Sequence, residues 1–294
     1  SLNKITGGDL NEKVEVYSSQ EFLSLSNDIN QTVDTLKGYI DAAEKRMEQE
    51  LLLAHTIQDA ALPKNFVFTY KGFELYATMD PAKEVGGDFY DFFFVGPDKL
   101  ALVIADVSGK GIPAALFMMR SKTAIRSLGE TGSDLCEIFE KVNAELCQGN
   151  DINMFVTVWM GMMDLKTGSM RCINAGHEYP VIKRSSGDFE IFKEKHAPPL
   201  GVMDDIEFHE YELQLEPGDC IYVYTDGVPD ANNTAEEQYG TERMTEVLNK
   251  NKDAGMEALL HAVKEDIDGH VGEADQFDDI TMIGFRYEGS REGW

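Results

Sequence analysis

The chain has 294 residues, and 43% of them are hydrophobic, which suits one large or two modest globular domains with a packed core. Its 53 acidic and 26 basic residues give a formal net charge of -27, which repels the phosphates of nucleic acids and anionic membrane surfaces. This charge argues against nucleic acid as a partner, and any site for a phosphate group needs cations to reverse its sign locally. The four cysteines form no Cys-x-x-Cys pair, which argues against a zinc knuckle or a disulfide framework.

The N-terminal part of the chain predicts one long amphipathic helix from Phe22 to about Leu62. Apolar residues recur there at three- and four-residue steps, and no proline interrupts them before Pro63. We expect this helix to pair in a parallel coiled-coil homodimer, while packing on its own domain is the alternative. Two places where the apolar residues step four and then four, around Ile29 and Met47, resemble coiled-coil stutters.

The residues that lead into this helix resemble the second half of a HAMP module, a parallel dimeric linker that passes conformational signals on. The resemblance covers residues 1–40 and rests on Gly7-Gly8-Asp9-Leu10, Val14, Val16 and Glu21-Phe22. It implies that residues 41–63 form a coiled-coil linker, and that the full-length protein is anchored in an inner membrane with this part in the cytoplasm. Since the helix leads into the next domain, we hypothesise that rotation or a register change of the dimer helices switches that domain on.

After Pro63 the sequence changes to short runs of β-branched and aromatic residues between glycine, aspartate and proline, a pattern typical of strands. The predicted strands are 73–79, 89–95, 100–105, 155–164, 169–173, 180–184, 189–192, 207–213, 220–224 and 280–286. Helices are predicted at 112–128, 133–146 with Ser133 as N-cap, 242–249 and 256–268. Several strands follow one another without a helix between them. This order favours an α+β fold, a β-sandwich covered by helices, over a doubly wound sheet.

Four acidic motifs share one context, an apolar strand next to an aspartate with glycine, a second aspartate or a turn beside it. They are Gly86-Gly87-Asp88, Ala105-Asp106-Val107-Ser108-Gly109, Tyr224-Thr225-Asp226-Gly227 and Phe277-Asp278-Asp279-Ile280. A single Asp-Gly after a strand is usually a plain turn, but four of them predict a shared site. Oxygen ligands without histidine or cysteine suit Mg²⁺ or Mn²⁺. Two such ions can activate a hydroxide for attack on phosphorus, so the chemistry needs no protein nucleophile.

Six motifs in order resemble the SpoIIE-type branch of the metal-dependent, type 2C-like protein phosphatases, and the resemblance covers residues 64–287. They are Ile57-Gln58 with Ala61-Leu62-Pro63, Pro81 to Asp91, Asp106-Val107-Ser108-Gly109-Lys110-Gly111, Asn174-Ala175-Gly176-His177, Tyr224-Thr225-Asp226-Gly227 and Asp278-Asp279-Ile280-Thr281. The resemblance implies an αββα sandwich at 64–288, with a site for two Mn²⁺ or Mg²⁺ ions at one edge of the sheets. The implied reaction is hydrolysis of phosphoserine or phosphothreonine on a phosphorylated protein, in this family an anti-sigma-factor antagonist.

The resemblance also assigns roles to residues of this site. Asp106 would bridge both ions with help from the Val107 carbonyl, Asp226 and Asp278 would complete the shell of one ion, and Asp88 would bind the second. Of these, Asp106, Asp226 and Asp88 are the predicted catalytic residues. Asp279 stands next to a metal aspartate, where the wider superfamily often has asparagine.

Two roles of the wider superfamily, the proton donor and the phosphate-binding arginine, match no residue of this sequence by motif. The histidine that protonates the leaving group is replaced at Ser108, so water on a metal, Ser108 or His177 could supply the proton. The arginine that holds the substrate phosphate is not identifiable, and Lys83 or Lys110 could replace it. A solvated surface lysine is the alternative for both of them.

Two other functions compete with the phosphatase. The stretch Gly86-Gly87-Asp88-Phe89 is similar to the Gly-Gly-Asp/Glu-Glu-Phe signature of diguanylate cyclases, which also follow HAMP helices and use two metals. Those cyclases do not require Asp226-Gly227 or Asp278-Asp279, and their Glu-Phe pair is missing here. The third possibility is a non-catalytic dimeric signalling scaffold, against which the four intact aspartates argue.

Overall fold

The computed structural model describes residues 2–15, 19–68 and 72–289. Val16, which belongs to the HAMP-like pattern, lies outside the described residues. The chain divides into two compact units, Ser1–Thr56 and Ile57–Trp294. Among the described helices, none has the combination of length and hydropathy that crossing a bilayer requires.

The first unit contains helix α1 (Leu2–Thr6) and most of helix α2 (Gln20–Ala61), so the long helix predicted from Phe22 is confirmed. The segment between them is held to α2 at Val14. The Val14 N–H donates to Asn30 Oδ1 at 2.9 Å, and Asn30 Nδ2 donates back to the Val14 carbonyl at 2.9 Å. Several apolar side chains along α2 are exposed, among them Phe22, Leu25, Leu36, Ile40 and Met47. Exposed apolar positions at this spacing are what the predicted coiled-coil seam needs.

The second unit is built on two antiparallel sheets of five strands each. The first has the order β1-β10-β9-β6-β7 and the second the order β2-β3-β4-β5-β8. The strands are β1 Phe73–Asp80, β2 Phe89–Val95, β3 Lys99–Val107, β4 Val156–Asp164, β5 Ser169–Ala175, β6 Val181–Lys183, β7 Phe189–Ile191, β8 Glu210–Gln214, β9 Cys220–Tyr224 and β10 Ile280–Tyr287. All ten predicted strands are present, with small shifts at their ends.

Two helices cover each sheet. Helices α3 (Ile112–Gly129) and α4 (Leu135–Cys147) pack on the second sheet, and α5 (Gly240–Lys250) and α6 (Met256–Val271) pack on the first. The strands are therefore covered on both faces, and residues 100–105 of β3 are fully buried. The predicted α+β class and the αββα sandwich are confirmed.

Helix α4 begins later than the sequence predicts. Its N-cap is Asp134, whose Oδ1 accepts from the Cys136 N–H at 3.0 Å, so the prediction of Ser133 as N-cap is wrong. Ser133 instead accepts a hydrogen bond from the Thr131 hydroxyl in the preceding turn. Both residues can cap a helix, and the tertiary position of the turn selects the aspartate.

A buried ion pair fixes α3 to the second sheet. Asp91 on β2 is 1% exposed, and its carboxylate accepts from Lys122 Nζ at 2.8 Å and from Arg126 Nε at 2.9 Å. Removing one partner of such a pair leaves a buried charge without compensation, which is strongly destabilising. The pair therefore sets the position of α3, whose first residues follow the Asp106 loop.

Candidate active site

The four predicted aspartates come together because four strand ends meet at one edge of the sandwich. Phe89, which follows Asp88, pairs with Ala105, which precedes Asp106, so these two carboxylates lie at the same end of β2 and β3. In the other sheet, Met282 of β10 pairs with Tyr224 of β9. The loops that carry Asp278 and Asp226 therefore lie at one end of those strands as well.

Asp88 is the most deeply buried member of the cluster, with 2% of its surface exposed. Its Oδ2 is buried without a hydrogen-bond partner among the described residues. Burial, then the charges of Asp106 and Asp279, raise the pKa of Asp88 well above its ordinary value. A buried carboxylate oxygen without a partner is costly, so this position suits a cation.

The other carboxylates repel one another in the same way. Burial, followed by the charge of Asp226, raises the pKa of Asp106 to about 7. Burial and the charge of Asp278 raise the pKa of Asp226, while Lys110 acts in the opposite direction. All three neighbouring acids are harder to ionise than usual. The positive charges of the surrounding protein therefore do not balance the negative charge of the site.

The donors at this edge fit hard divalent cations. They are the carboxylates of Asp88, Asp106, Asp226 and Asp278 and the carbonyl of Val107, all oxygen ligands. The Val107 carbonyl lies close to the Asp88 loop, since a Cβ built on Gly87 would be 2.9 Å from its oxygen. Only glycine allows this approach of the two loops.

Asp279 holds the loop that carries Asp88. Its Oδ1 accepts from the Ala82 N–H at 2.8 Å, and its Oδ2 accepts from the N–H groups of Gly87 at 2.7 Å and Asp88 at 3.3 Å. Both oxygens are thus engaged with backbone, which gives Asp279 a positioning role. An asparagine could accept with only one of its two side-chain atoms.

Lys110 belongs to the site, and Lys83 lies on the exposed part of the loop at 81–88. Lys110 Nζ is 2.8 Å from Asp278 Oδ2 and donates to the Phe277 carbonyl at 2.5 Å. It also lies 4.7 Å from the centroid of the Phe277 ring. Of the two lysines considered for phosphate binding, Lys110 is the one placed at the carboxylates.

His177 is buried and uncharged in the fold. It is 5% exposed, its Nδ1 is 2.9 Å from the Thr157 hydroxyl, and burial lowers its pKa to about 3. The Thr157 hydroxyl in turn lies 3.4 Å from the Asp106 carbonyl. A neutral histidine at physiological pH is a poor proton donor, so these contacts favour a positioning role.

This burial predicts a dependence of stability on pH. The unfolded chain protonates His177 near its ordinary pKa of 6.5 and the folded chain only near 3, so the contribution of His177 to the free energy of unfolding falls as the pH drops below about 6.5. Between about pH 7.5 and about pH 5 the loss is about 2 kcal/mol at 1.36 kcal/mol per pKa unit. In urea unfolding, His177→Gln should lack this part of the loss, and His196→Gln at an exposed position should retain it. Equal pH dependence in all three proteins would contradict the assignment.

Ser108 ties the end of β3, which carries Asp106, to the residue just before β4. Its N–H donates to the Phe155 carbonyl at 2.9 Å, and its hydroxyl accepts from the Phe155 N–H at 3.0 Å. These two bonds fix the position of the residue that replaces the superfamily's histidine.

Three residues of the site had no role predicted from the sequence, although Gln58 belongs to the first of the six motifs. Burial and then Asp226 and Asp230 raise the pKa of Glu178, and burial and then Asp278 raise that of Asp230. Gln58, at the end of α2, is 5% exposed and forms two hydrogen bonds with Gly86. All three lie in or beside the quoted motifs, and proximity to those motifs is the signal that could have identified them.

A second acidic group on the surface consists of Asp134, Cys136 and Glu210. Arg171 Nη1 lies 3.1 Å from Asp134 Oδ2 and 3.5 Å from Glu210 Oε2. Because an arginine already balances these carboxylates, the group gives no reason to place a metal there.

Known proteins match the chain over most of its length. The family model described as Stage II sporulation protein E (SpoIIE) matches residues 96–288. Protein IcfG of Synechocystis sp. is 36% identical over 240 residues, which are 71% of this chain and 37% of that protein. Phosphoserine phosphatase RsbU of Bacillus subtilis is 31% identical over 195 residues, which are 66% of this chain and 56% of that protein. The chain thus spans between about a third and just over half of these two relatives.

The fold has a close counterpart among solved structures. The SiaA-PP2C domain of Pseudomonas aeruginosa superimposes with a TM-score of 0.74 at 24% identity, covering 84% of this chain and 99% of that domain. The PP2C phosphatase domain of SpoIIE from Bacillus subtilis, with a fragment of its regulatory domain, gives a TM-score of 0.63 at 19% identity, and the match covers 73% of this chain and 63% of that one. The chain therefore belongs to the SpoIIE family, and its second unit has the PP2C fold, as the sequence motifs predict.

Proposed function

We propose that this chain is a metal-dependent phosphatase that hydrolyses phosphoserine or phosphothreonine on a regulatory protein. The observation that carries the proposal is the cluster of Asp88, Asp106, Asp226 and Asp278 at one edge, with a buried Asp88 oxygen that has no described partner. The relative RsbU is named a phosphoserine phosphatase, which supports the reaction. Family membership favours this reaction over the cyclase alternative.

In this proposal, two divalent cations, Mn²⁺ or Mg²⁺, bind the carboxylates of Asp88, Asp106, Asp226 and Asp278 and the Val107 carbonyl. When bound, such ions lower the pKa of water and neutralise phosphoryl oxygens. Burial and then the charge of Asp226 raise the pKa of Asp106, so Asp106 of the second sheet lies near an acid of the first sheet. In this proposal Asp106 would serve both cations.

The remaining residues of the site bind or position. Lys110 carries its positive charge beside Asp278, where its flexible stem lets the ammonium reach a substrate phosphate. Ser108 and Asp279 hold the loops of Asp106 and Asp88. Because His177 is neutral and buried, we assign the proton for the leaving oxygen to water.

The test of the function is phosphate release from a phosphoserine protein with Mn²⁺, with Mg²⁺ and with a chelator. We expect release that requires the cation and is lost with the chelator. Incubation with GTP under the same conditions serves as the cyclase control. Formation of a cyclic dinucleotide, or no reaction with any phosphoprotein or small phosphate ester, would overturn the proposal.

The natural substrate and the domain limits follow from the resemblance. We propose a phosphorylated anti-sigma-factor antagonist as substrate, a phosphatase domain at 64–288, a HAMP-like module at 1–40 and a coiled-coil linker at 41–63. The exposed apolar row of α2 supports homodimer formation. Anchoring of the full-length protein in a membrane, with this part in the cytoplasm, belongs to the same proposal.

We place the contact between linker and catalytic site at Gln58. Gln58 Nε2 donates to the Gly86 carbonyl at 2.6 Å, and the Gly86 N–H donates to Gln58 Oε1 at 3.1 Å. Gly86 is two residues before Asp88, so a change in the end of α2 reaches a metal ligand through two hydrogen bonds. Movement of the dimer helices would regulate the site through this contact.

Gln58→Met should weaken Mn²⁺ binding by about tenfold, because it removes both bonds and leaves buried backbone groups of Gly86 without partners. Phosphate release should fall at limiting Mn²⁺ and recover at excess Mn²⁺. Titration calorimetry with Mn²⁺ checks the affinity directly. Gln49→Met, at an exposed position of the same helix, is the control and should bind Mn²⁺ as the wild type does. Unchanged affinity in Gln58→Met would disprove the contact's role.

A further inference from the structure

A groove runs along the free edge of the first sheet, outside the aspartate cluster. Strand β7 is the last strand of that sheet, and α5 lies beside it. The groove between them has a volume of about 660 Å³, and its floor is formed by Phe189 and Ile191. Many proteins bind an extended peptide by pairing it with an accessible strand at the edge of a sheet.

The backbone of β7 directs hydrogen-bonding groups into this groove. Asn249 of α5 acts toward Phe189 as a neighbouring strand would: its Oδ1 accepts from the Phe189 N–H at 2.6 Å, and its Nδ2 donates to the Phe189 carbonyl at 3.2 Å. The Phe192 N–H donates to the Pro180 carbonyl, just before β6. Residues of an antiparallel strand alternate between bonding to the partner strand and pointing away from it, so the N–H and C=O of Ile191 point away from β6. Ile191 therefore offers an N–H and a C=O at the groove, two residues beyond the position that Asn249 covers.

The helix wall of the groove is acidic. Glu242 and Glu246 lie one turn apart on the face of α5 that lines the groove. Glu190 of β7 also borders the groove, but its side chain alternates to the face opposite Phe189 and Ile191. The described lining contains no basic residue. Arg243, next to Glu242 in the sequence, pairs with Asp266 of α6 at 2.7 Å. Glu242 and Glu246 thus line the groove with no basic residue among its described lining, although Arg243 lies near enough to feel the charge of Glu246.

One end of the groove leads to the candidate active site. Gly240, the first residue of α5, donates its N–H to the Pro229 carbonyl at 2.9 Å, and Pro229 precedes Asp230. On the opposite wall, Ile191 pairs with Val181, which lies three residues after Glu178. Both walls approach the site there, since burial and then the charges of Asp226 and Asp230 raise the pKa of Glu178. A peptide in the groove would therefore point toward the aspartates.

We propose that this groove binds an extended, basic segment of the phosphoprotein substrate, which adds to β7 as a further strand. The proposal rests on the proposed phosphatase function and names what selects the substrate. The segment's backbone pairs with Ile191, and its lysine or arginine side chains meet Glu242 and Glu246. From Thr241 to Asn249 the helix extends about 12 Å, the length of about four residues of an extended strand.

A basic segment in the groove would offset the electrostatic repulsion between this chain and its substrate. A chain with a net charge of -27 repels a phosphorylated protein. A basic segment beside the phosphoserine provides attraction on the substrate's side, away from the metal ligands. Edge strands often carry charged residues only to prevent aggregation, which is the competing explanation for Glu190.

The test compares two phosphoserine peptides that differ only in one flanking segment, with lysines in one and glutamines in the other. The wild type with Mn²⁺ should show about tenfold higher kcat/KM for the basic peptide, mostly through KM, since each exposed ion pair changes affinity a few-fold. The double variant Glu242→Gln, Glu246→Gln should treat both peptides alike. Its hydrolysis of p-nitrophenyl phosphate should be unchanged.

The matched control is Glu140→Gln with Glu145→Gln, the same charge change on exposed residues of α4, which packs on the other sheet. This variant should keep the preference. If the preference survives in the groove variant, or is lost equally in the control, groove docking is overturned.

A second measurement does not depend on catalysis. An unphosphorylated basic peptide should slow hydrogen exchange of the Ile191 amide in the wild type, and the glutamine peptide should not. An unprotected Ile191 amide at saturating basic peptide would overturn the strand pairing. If no substrate, including p-nitrophenyl phosphate, releases phosphate, the proposed function fails, while the exchange at Ile191 still decides whether the groove binds the peptide.

Discussion

Replacing Asp106 with asparagine should abolish phosphate release while the fold stays intact. In the proposed mechanism Asp106 would hold both cations, as the family resemblance implies, so its loss would remove a ligand from both of them. The charge of Asp226, after burial, raises the pKa of Asp106, which places it next to an acid of the other sheet. Charge stabilisation by bound cations contributes several kcal/mol, so we expect a loss of at least about a thousandfold in kcat. Phosphate release and Mn²⁺ calorimetry measure the two effects together.

Thermal unfolding in a chelator separates a lost ligand from a damaged fold. A raised pKa means that the folded state holds the proton more tightly, so without metal the ionisation of Asp106 lowers the free energy of unfolding as the pH rises above 4 toward 7. Asparagine cannot ionise, so the metal-free variant should be more stable than the wild type near pH 8. Asp253→Asn, on an exposed loop, is the control and should retain activity. Normal turnover in Asp106→Asn would refute the mechanism.

Gly227→Ala should cost about 3 kcal/mol of unfolding free energy, because the new methyl group meets backbone rather than a flexible side chain. A Cβ on Gly227 would lie 1.9 Å from the Asp279 carbonyl oxygen, in the contact between the loop after β9 and the start of β10. To make room, Asp278 and Asp226 must move apart, so activity should fall with stability. Urea unfolding and phosphate release at saturating Mn²⁺ check both.

Gly269→Ala is the matched substitution at a position with space. Gly269 lies in α6, and a Cβ there has nothing within 4 Å. Alanine should raise the free energy of unfolding by about 0.4–1 kcal/mol by reducing the freedom of the unfolded chain. Equal effects of the two substitutions would show that the approach of Gly227 to Asp279 is not tight.

The strands were predictable because their signals are local. The aromatic run at 89–95 and the apolar run at 100–105 each indicate a buried strand from a few neighbouring residues alone. The four aspartates were predictable for a related reason, since each lies at the boundary between such a strand and a turn. Sheet order was not predicted, because β1 pairs with β10 across about two hundred residues of chain.

The roles of individual site residues depend on tertiary contacts that no local pattern encodes. Asp279 accepts from Ala82, 197 residues earlier, and this bond gives it a positioning role. Lys110 lies at the site because its loop and the Asp278 loop converge from different sheets. The burial that keeps His177 neutral likewise becomes visible only in the packed structure.

Strand β10 is the last strand of the described chain, but in its sheet it lies between β1 and β9. This order affects how the protein folds. The strand that follows Asp278 and Asp279 leaves the ribosome after the other strands of the described sheets, so β1 and β9 have no neighbour between them until then. Contacts of such long sequence separation form slowly. A chain interrupted before residue 280 lacks an inner strand of the sheet, and we expect it to be degraded rather than to persist as a weakly active enzyme.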